Sequence, residues 1–584
     1  MKSPLFAGRH VHAVPKKGYI GIFVGLLILW AYAFHYSGHS IRVMRPQDVQ
    51  KPKLHIKVSG RARFLARQDA DTSTQERMPQ PEPSQAILGR AVGRSAGPGW
   101  GWAVYEHGKM SAKEAALWAG RQAEVKKAVQ HSWQAYEAYA WGFDELLPLN
   151  KSARNSFGGL GATIVDSLDT LHLLGMRAEF KRARNWVAKE LDLDHGGRLS
   201  LFETIIRIVG GLISAFDASR DKLFLEKAVE LADKLQLSFP EGGQDHAVLP
   251  SNDAFLLPGS GEATRAWAAA PDTVGLAEAA SFMVEWHALA ARTGNASYAV
   301  TADHVVHLLQ QRHPKQAFLP VWFNMFTATT NPGNTFCLGG MSDSYYEYLL
   351  KVWLLKSKQA DVYRDMWERA MDGALEKLLQ MSSDGSYFVG SVQVPKSHKG
   401  KTVFVRKMEH LACYLPGNLA LGVAEGAVGG EKAVQYAAVA EELAHTCMRM
   451  YKLMPTGLAP EKITFLEEGG TRVDAADAGN VLRPETVESL YYMWRLTGEQ
   501  RYQEWGWSIF QAFQEHAKGD VGYHSLLDVT KLPAVPSNGM ESFWIAETLK
   551  YLWLLFGEPS ALPLDKWVLS TEAHPFLLDA AVAS

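Results

Sequence analysis

The chain has 584 residues, 47% of them hydrophobic, so it can bury a large core and is long enough for several domains. Its 60 basic and 62 acidic residues give a net charge of −2 and are spread along the chain. It has no basic helix and no interleaving of basic and aromatic residues, which argues against nucleic acid as a partner.

The N-terminal region contains one stretch without charge, residues 18–34, which follows Lys16 and Lys17. Its 17 residues are at the short limit for a membrane span. A cleaved signal peptide is the alternative, but no small-x-small cleavage site follows. We therefore predict a transmembrane signal anchor at 18–34 behind a cytoplasmic tail at 1–17. Basic residues flank the stretch on both sides almost equally, so their count does not decide its orientation.

Residues 35–110 are polar and carry Pro79, Pro81 and Pro83, a composition typical of a flexible stem. Residues 111–584 then form the predicted catalytic part. Two glycosylation acceptor triplets begin at Asn150 and Asn295, and they are useful only if this part is lumenal. Three cysteines allow one pair and one spare, which is compatible with a lumenal protein.

From residue 111 onward, apolar residues recur at helical spacing almost throughout. The pattern predicts fourteen helices, near 112–141, 161–175, 177–190, 202–218, 221–236, 273–292, 296–311, 342–357, 360–380, 416–426, 431–451, 484–497, 499–515 and 540–556. Strand-like alternation is scarce and lies mostly around 386–406.

The predicted helices come in pairs joined by short connections. Gly294 ends one helix shortly before Tyr298 opens the next, and Gly498 and Tyr502 repeat this arrangement. Short connections give antiparallel hairpins, and recurring hairpins form a closed or an open array. We predict an all-α fold in which seven hairpins close into an (αα)7 barrel. An open solenoid is the alternative, but long variable loops such as 237–272 and 381–415 are rare in solenoids.

The stretch 482–490 (LRPETVESL) places two carboxylates and a guanidinium at one helix start. Pro484 suits the first helical position, and Glu485 and Glu488 then share one face, with Arg483 just outside. Acidic residues also complement the helix dipole there, so the stretch alone leaves capping and chemistry equally open.

Similar stretches recur elsewhere, each with an ordinary structural alternative. Glu203 and Arg207 could be a surface ion pair, but their helix has almost no polar face. Asp343 could be an N-cap, and His410 could be a satisfied structural histidine. Further polar or aromatic side chains interrupt apolar segments at Glu278, Glu285, Phe543, Glu547, Thr571 and Glu572.

Carboxylates and aromatic rings gathered in one concavity supply what a sugar site needs, namely acceptors for hydroxyl groups and faces for stacking. Buried carboxylates repel one another unless some are protonated or a cation lies among them. Oxygen ligands with few His and Cys indicate calcium in preference to zinc.

Several strings taken together resemble the class I α-1,2-mannosidases, glycoside hydrolase family 47. They are 161–171 (GATIVDSLDTL), Phe202-Glu203, 343–348 (DSYYEY), 483–489 (RPETVES), 547–551 (ETLKY) and 571–575 (TEAHP), in the family's order. The resemblance covers about 130–580. It implies an (αα)7 barrel, bound Ca²⁺ and inverting hydrolysis of α-1,2-linked mannose on high-mannose N-glycans.

The resemblance also implies residue roles. Glu203 falls on the general-acid position, with Asp343 as an alternative acid acting through water, and Glu485 falls on the general-base position. Thr571 matches the calcium ligand, and Cys413 and Cys447 match the family's disulfide. The positions that match contacts to sugar or to calcium-bound water are Arg207, Glu278, Glu285, His410, Arg483, Glu488, Phe543, Glu547 and Glu572.

Met341 stands where members of the endoplasmic reticulum carry an Arg that contacts the glycan branch, whereas Golgi members carry an aliphatic residue. The resemblance therefore implies a type II Golgi membrane enzyme, with the endoplasmic reticulum membrane as the alternative. Two rival functions stay open: a lectin-like factor in glycoprotein quality control that binds mannose glycans with little or no hydrolysis, and a structural helical scaffold. The state of Cys337 is not decided by the sequence.

Overall fold

The computed structural model describes residues 111–582, apart from 195, 237, 240–248, 251, 257–262, 266–271, 317 and 398–399. The predicted anchor at 18–34, with its tail and stem, lies outside the described residues. Within the described ranges, no helix is both long and apolar enough to cross a membrane.

Helices dominate the described part of the chain. They are α1 (Ala112–Tyr139), α2 (Ala162–Asp166), α3 (Leu168–Leu173), α4 (Arg177–Lys189), α5 (Leu201–Glu203, a π-helical turn Thr204–Val209 and Gly210–Ser219), α6 (Lys222–Gln236), α7 (Leu276–Ala280), α8 (Met283–Thr293), α9 (Ser297–Arg312), α10 (Asp343–Leu355), α11 (Asp361–Leu378), α12 (Leu415–Ala424, after a 3-10 turn His410–Tyr414), α13 (Gly430–Lys452), α14 (Glu485–Thr497), α15 (Gln500–His516), α16 (Leu549–Leu555, after a π-helical turn Trp544–Thr548) and α17 (Asp579–Val582).

Short strands connect them in small antiparallel sheets. They are β1 (Glu145–Leu147), β2 (Ser152–Arg154), β3 (Gly197–Ser200), β4 (Asp253–Leu256), β5 (Ala263–Arg265), β6 (Thr273–Gly275), β7 (Trp322–Asn324), β8 (Thr335–Phe336), β9 (Leu379–Met381), β10 (Tyr387–Val389), β11 (Ser391–Gln393), β12 (Val403–Val405), β13 (Lys407–Glu409), β14 (Lys462–Phe465), β15 (Thr471–Arg472), β16 (Ser525–Asp528), β17 (Val535–Ser537), β18 (Trp567–Leu569) and β19 (Pro575–Leu577).

The helices pack as hairpins whose inner members form a closed ring. The pairs in contact are α3 with α4, α5 with α6, α8 with α9, α10 with α11, α12 with α13, α14 with α15, and α16 with α1. The inner helices α3, α5, α8, α10, α12, α14 and α16 touch in that order, and the turn before α16 returns to α2 and α3. The described residues therefore form a helical barrel of paired helices, closed by joining the N-terminal helix to the last long one.

Side-chain composition separates inner from outer helices. Every residue of α12 is buried, and in α10 all residues after Asp343 are buried, as expected for helices covered on all sides. The outer helix α4 buries only Ala183 and Val187 and presents charge to solvent. Gly294 and Gly498 end their helices in the left-handed conformation, with φ of 72° and 69°. This confirms the predicted hairpin stops.

A C-terminal β-hairpin enters the ring from the end where the inner helices finish. Its strands β18 and β19 contact α10 and α5, and its tip spans 570–574. Buried Lys351 and Lys550 donate to the carbonyl oxygens of Ser570 and Ala573 at 3.2 and 2.8 Å. We call the segment 567–577 the plug hairpin. Two buried lysines thus anchor the tip of this hairpin to α10 and α16.

Three local expectations differ from the structure. Strands occur well outside 386–406, because segments of two to four residues pair between loops and are too short to show alternation. Asp343 is the first residue of α10 and not its N-cap, since Ser342 occupies the cap position. Pro484 likewise precedes α14 as the N-cap residue and not its first helical residue.

The pairing of Cys413 with Cys447 is confirmed, and Cys337 is a free thiol in the described part of the chain. The bond joins the turn before α12 to α13, across one helix hairpin. We expect replacing both cysteines with serine to lower the free energy of unfolding by about 4 kcal/mol, because the bond closes a loop in the unfolded chain. Urea unfolding under non-reducing conditions measures this. Reductant should reproduce the loss in the unmodified protein and leave the variant unchanged.

A buried charge cluster ties the plug hairpin to two helices. Asp169 accepts from Lys550 and from His574, both at 2.6 Å, and all three side chains are buried. Burial alone would raise the pKa of Asp169, but Lys550 and His574 outweigh it and lower the pKa to about 2. The carboxylate is therefore ionised throughout the neutral range.

Asp169→Asn should lower the free energy of unfolding by about 3–5 kcal/mol, because it leaves the Lys550 ammonium buried beside an uncharged amide. The matched control is Asp361→Asn, which removes a solvent-exposed pair with Arg364 and should change stability by less than about 1 kcal/mol. Parallel urea titrations compare the two. Equal losses would contradict the assignment of Asp169 as a stabilising charge.

Candidate active site

The side chains predicted to carry chemistry gather at the end of the barrel where the inner helices begin. Glu203, Asp343 and Glu485 lie at the N-terminal ends of α5, α10 and α14. Since inner helices run in the same direction, side chains far apart in sequence meet at one mouth. The tip of the plug hairpin, which carries Thr571 and Glu572, reaches this mouth from the opposite end of the barrel.

Glu203 is held by a buried guanidinium. Arg207 Nε donates to its carboxylate at 2.8 Å, and the exposed side-chain fractions are 8% for Arg207 and 28% for Glu203. Arg207 also bonds to Glu572 and lies 3.5 Å from Asp166. The predicted ion pair therefore exists, but it is a buried link between α5 and the plug hairpin, and only its Glu203 end reaches solvent.

Two aromatic rings flank the same guanidinium. The centres of the Phe157 and Phe543 rings lie 4.8 and 5.6 Å from the Arg207 carbon. Ser542 accepts from Arg207 at 3.2 Å and bonds to Asp166. Phe543 is half-buried, so one part of its ring faces the mouth.

Glu485 sits in a positively polarised pocket. His410 Nδ1 lies 2.7 Å from its carboxylate, and the Arg483 guanidinium lies 3.6 Å away. Tyr451 orients the histidine, its hydroxyl lying 2.8 Å from His410 Nε2. Burial alone would raise the pKa of Glu485, but His410 and Arg483 outweigh it and lower the pKa. Glu485 is therefore a carboxylate at neutral pH.

Asp343 has the opposite environment. Burial, together with the charges of Glu347, Glu409 and Glu485, raises the pKa of its carboxyl group to about 8. The backbone N–H of Ser344 donates to it at 2.9 Å but does not offset the burial. One carboxyl of this mouth is thus protonated at neutral pH while a neighbouring one is ionised.

Met341 and Glu278 lie together where α7 begins. The Ala277 N–H donates to the Met341 carbonyl at 2.8 Å, and Met341 itself has a left-handed backbone with φ of 73°. Glu278 accepts from the Gly275 N–H at 3.0 Å and from Asn252 at 2.7 Å. A Cβ on Gly275 would lie 2.6 Å from the end of the Met341 side chain, so a larger residue there would displace that side chain.

Further acids lie deeper, around the plug tip. Burial raises the pKa of Glu285 and of Glu488 to about 8, and it raises that of Glu547 well above the usual range. Lys351 is the buried ammonium among them, bonded to Glu347 and 3.6 Å from Glu488. Acidic groups therefore outnumber basic groups in this region, and burial keeps several of them protonated.

Thr571 lies beside Glu285. Its N–H donates to the Tyr348 hydroxyl at 3.2 Å, and that hydroxyl donates to Glu285 Oε1 at 2.6 Å. Glu285 Oε2 is buried and has no hydrogen-bond partner. Among the residues described, no group of three or more His, Cys, Asp or Glu side chains is arranged to hold a metal ion.

The sequence reasoning missed several side chains that hold these groups in place. They are Phe157, Asp166, Glu347, Lys351, Tyr451, Glu461 and Ser542. Asp166 and Asp169 interrupt an apolar helix, and Glu347 and Lys351 are four residues apart. The sequence pattern could therefore have indicated both pairs. The other side chains come from distant segments, and no sequence pattern indicated their roles.

The glycosylation triplets are accessible. Asn150 and Asn295 are both exposed, each at a loop outside the barrel core. Their modification remains a prediction.

A helical barrel with differently titrating carboxyls and an aromatic ring at one mouth is typical of carbohydrate-active proteins. Residues 128–578 match the profile of Glycosyl hydrolase family 47, and the chain belongs to this family.

Relatives with curated names agree with this placement. The chain is 43% identical over 465 residues to "Mannosyl-oligosaccharide 1,2-alpha-mannosidase MNS1" of Arabidopsis thaliana, covering 79% of each chain. It is 38% identical over 465 residues to the "Endoplasmic reticulum mannosyl-oligosaccharide 1,2-alpha-mannosidase" of Homo sapiens, covering 78% of this chain and 64% of that one. Among solved structures, the "alpha-1,2-mannosidase from Trichoderma reesei" superimposes with a TM-score of 0.70 at 28% identity, covering 79% of this chain and 99% of that one.

Proposed function

We propose that this protein is a mannosyl-oligosaccharide 1,2-α-mannosidase that trims α-1,2-linked mannose from high-mannose N-glycans with inversion. Family membership and the relatives' names support a hydrolase over a lectin-like factor. The observation that carries the mechanism is the contrast between ionised Glu485 and protonated Asp343 at one mouth. Such a pair can accept and donate a proton in the same reaction.

Glu485 is the proposed general base. Its lowered pKa keeps it ionised, and His410 and Arg483 fix the direction of its carboxylate. A positioned carboxylate removes a proton from the attacking water as that water adds to the sugar carbon. Inverting enzymes separate acid and base by roughly 6.5–9.5 Å to admit this water. The placement of Asp343 and Glu485 on α10 and α14, with α12 between them in the ring, is compatible with such a gap.

Two carboxyls compete for the role of acid. Glu203 occupies the general-acid position by resemblance, and its carboxylate is held in an ion pair with Arg207. Asp343 holds a proton at neutral pH because it is buried among acids. We propose that Asp343 carries the catalytic proton and donates it to the leaving oxygen through a water molecule. Arg207 holds Glu203 against the substrate.

The proposed sugar contacts follow from exposure at the mouth. Phe543 offers a ring face, and Met341 and Arg483 are half-buried side chains at its edge. The remaining proposed contacts to sugar, or to water bound near the plug tip, are Arg207, Glu278, Glu285, His410, Glu488, Glu547 and Glu572.

Calcium fits the region around Thr571. The hydroxyl and carbonyl oxygens of Thr571 would hold the ion, and the acids behind them would bind its water through atoms such as the unpartnered Glu285 Oε2. Bound there, the ion would compensate the charge of the acids that ionise around it and fix sugar hydroxyl groups. The donor set, oxygen throughout, suits this metal.

We further propose that the barrel is lumenal in the Golgi, anchored through 18–34, with the endoplasmic reticulum as the alternative. The disulfide and the two exposed acceptor triplets support an oxidising, glycosylating compartment. Met341, in place of an arginine, supports the Golgi.

Incubation of the purified protein with a Man9 N-glycan and calcium should release β-mannose, detected by NMR before mutarotation. Glu485→Gln should lower kcat about 10²–10⁴-fold, because the amide cannot accept a proton. A chelator should abolish release and restored calcium should recover it. Release of α-mannose would contradict inversion, and glycan binding without release would instead support the lectin-like function.

The pH dependence of kcat/KM separates the two candidate acids. The rate should fall in acid as Glu485 is protonated, below the ordinary glutamate range, and fall again near pH 8 as Asp343 loses its proton. Glu203→Gln should retain the fall in kcat/KM near pH 8, whereas Asp343→Asn should remove this fall. A limb that disappears only in Glu203→Gln would assign the proton to Glu203.

A further inference from the structure

A second concavity lies at the opposite end of the barrel from the carboxyl cluster. Its volume is about 390 Å³, and it is lined by Leu354 of α10, Leu421 of α12, Tyr492 of α14, and Trp567 and Val568 of the plug hairpin. Leu354 is 11 residues after Asp343 on the same helix, which places the two about 16 Å apart along the helix axis. The cavity is therefore separate from the mouth just described.

The cavity has the size and lining of a small-molecule site. Pockets of about 300–1,000 Å³ with mostly apolar walls and a few polar groups are typical of ligand sites. Leu564 and Leu578 extend the apolar wall, and the indole of Trp567 is half-buried, so part of its ring faces the cavity. An apolar body of one aromatic ring with a short chain matches this space.

The electrostatics favour a positive charge at its rim. Both α10 and α12 end here, and helix C-termini carry partial negative charge. Neither helix has a basic residue in its last turn, and Lys356, the C-cap residue of α10, lies 4.0 Å from Asp579. Lys358 is bonded to both the carbonyl and the carboxylate of Glu425, each at 2.8 Å. Asp565 lines the cavity, is exposed, and makes no hydrogen bond or ion pair within the described part of the chain.

The backbone at the rim is unusual as well. Ser357 and Lys358 are consecutive residues with left-handed backbone, at φ of 52° and 64°, and neither is glycine. Such conformations are unfavourable and gather at ligand clamps and functional loops. Here they turn the chain so that the Lys358 side chain reaches Glu425 across the cavity edge.

We propose that this cavity, which we call the base cavity, binds a small hydrophobic amine. The apolar body lies between Leu354, Leu421 and Val568, and the protonated amine pairs with Asp565 beside the face of Trp567. Occupancy stiffens the plug hairpin, because Trp567 and Val568 belong to the strand that leads to Thr571.

Calorimetry on the full-length protein tests the site with 4-phenylbutylamine and its uncharged analogue 4-phenylbutanol. We expect saturable 1:1 binding, with the amine about fivefold tighter because it adds an exposed ion pair and a cation–π contact. Asp565→Asn should reduce that preference to about twofold, and the control Asp361→Asn should leave it unchanged. Leu421→Trp fills the cavity and should abolish binding of both compounds.

Hydrogen–deuterium exchange locates the bound amine independently of activity. Amide exchange should slow in peptides covering 354–358, 421–425 and 564–568, and in the plug hairpin. Absence of saturable binding, equal affinity for amine and alcohol, or protection confined to the mouth that holds Asp343 and Glu485 would each overturn the proposal. Asp565→Asn changes only an exposed side chain, so the binding measurement on this variant stays informative if Leu421→Trp misfolds.

Discussion

The barrel depends on how negative charge is balanced in its interior. Carboxylates from most inner helices converge on one region, and few buried ammonium or guanidinium groups face them. Each of these acids is therefore paired with a cation or protonated: Asp169 has Lys550, Glu203 has Arg207, and burial raises the pKa of Glu285 to about 8. A buried carboxylate without such compensation would destabilise the fold by several kcal/mol. The buried lysines are thus as necessary to the architecture as the apolar core.

The plug hairpin links this balance to the shape of the site. It is the element that Lys351, Lys550, Arg207 and Asp169 all contact, directly or through His574. Because these partners come from α10, α16, α5 and α3, the hairpin joins α10 to three helices that are not its neighbours in the ring. It fills the barrel axis and presents Thr571 at the level of the helix N-termini.

Local environment also assigns different protonation states to chemically similar groups. Glu485 and Asp343 are both half-buried carboxyls at helix starts, yet His410 and Arg483 hold one ionised while surrounding acids keep the other protonated. The difference follows from which side chains the neighbouring hairpins bring to each position. An acid–base pair is obtained in this way from residues of the same type.

The sequence by itself determined the helices, their pairing and the acids, because these are local properties. Apolar spacing marked the long helices, although the predicted segments 161–175 and 273–292 each correspond to two helices and α17 was not predicted. Glycines marked the stops at 294 and 498, and ordered strings such as RPETVES marked the family. Only the tertiary structure decided what each acid does. The pKa of Asp343 depends on burial and on Glu347, Glu409 and Glu485. The Arg207 guanidinium that pairs with Glu203 also pairs with Glu572, and the plug hairpin is held by Lys351 and Lys550. These contacts join residues up to several hundred positions apart, and electrostatic interactions at that sequence separation leave no periodic trace in a single chain. The short strands were missed for a related reason, since a strand of three residues takes its identity from its partner and not from its own pattern.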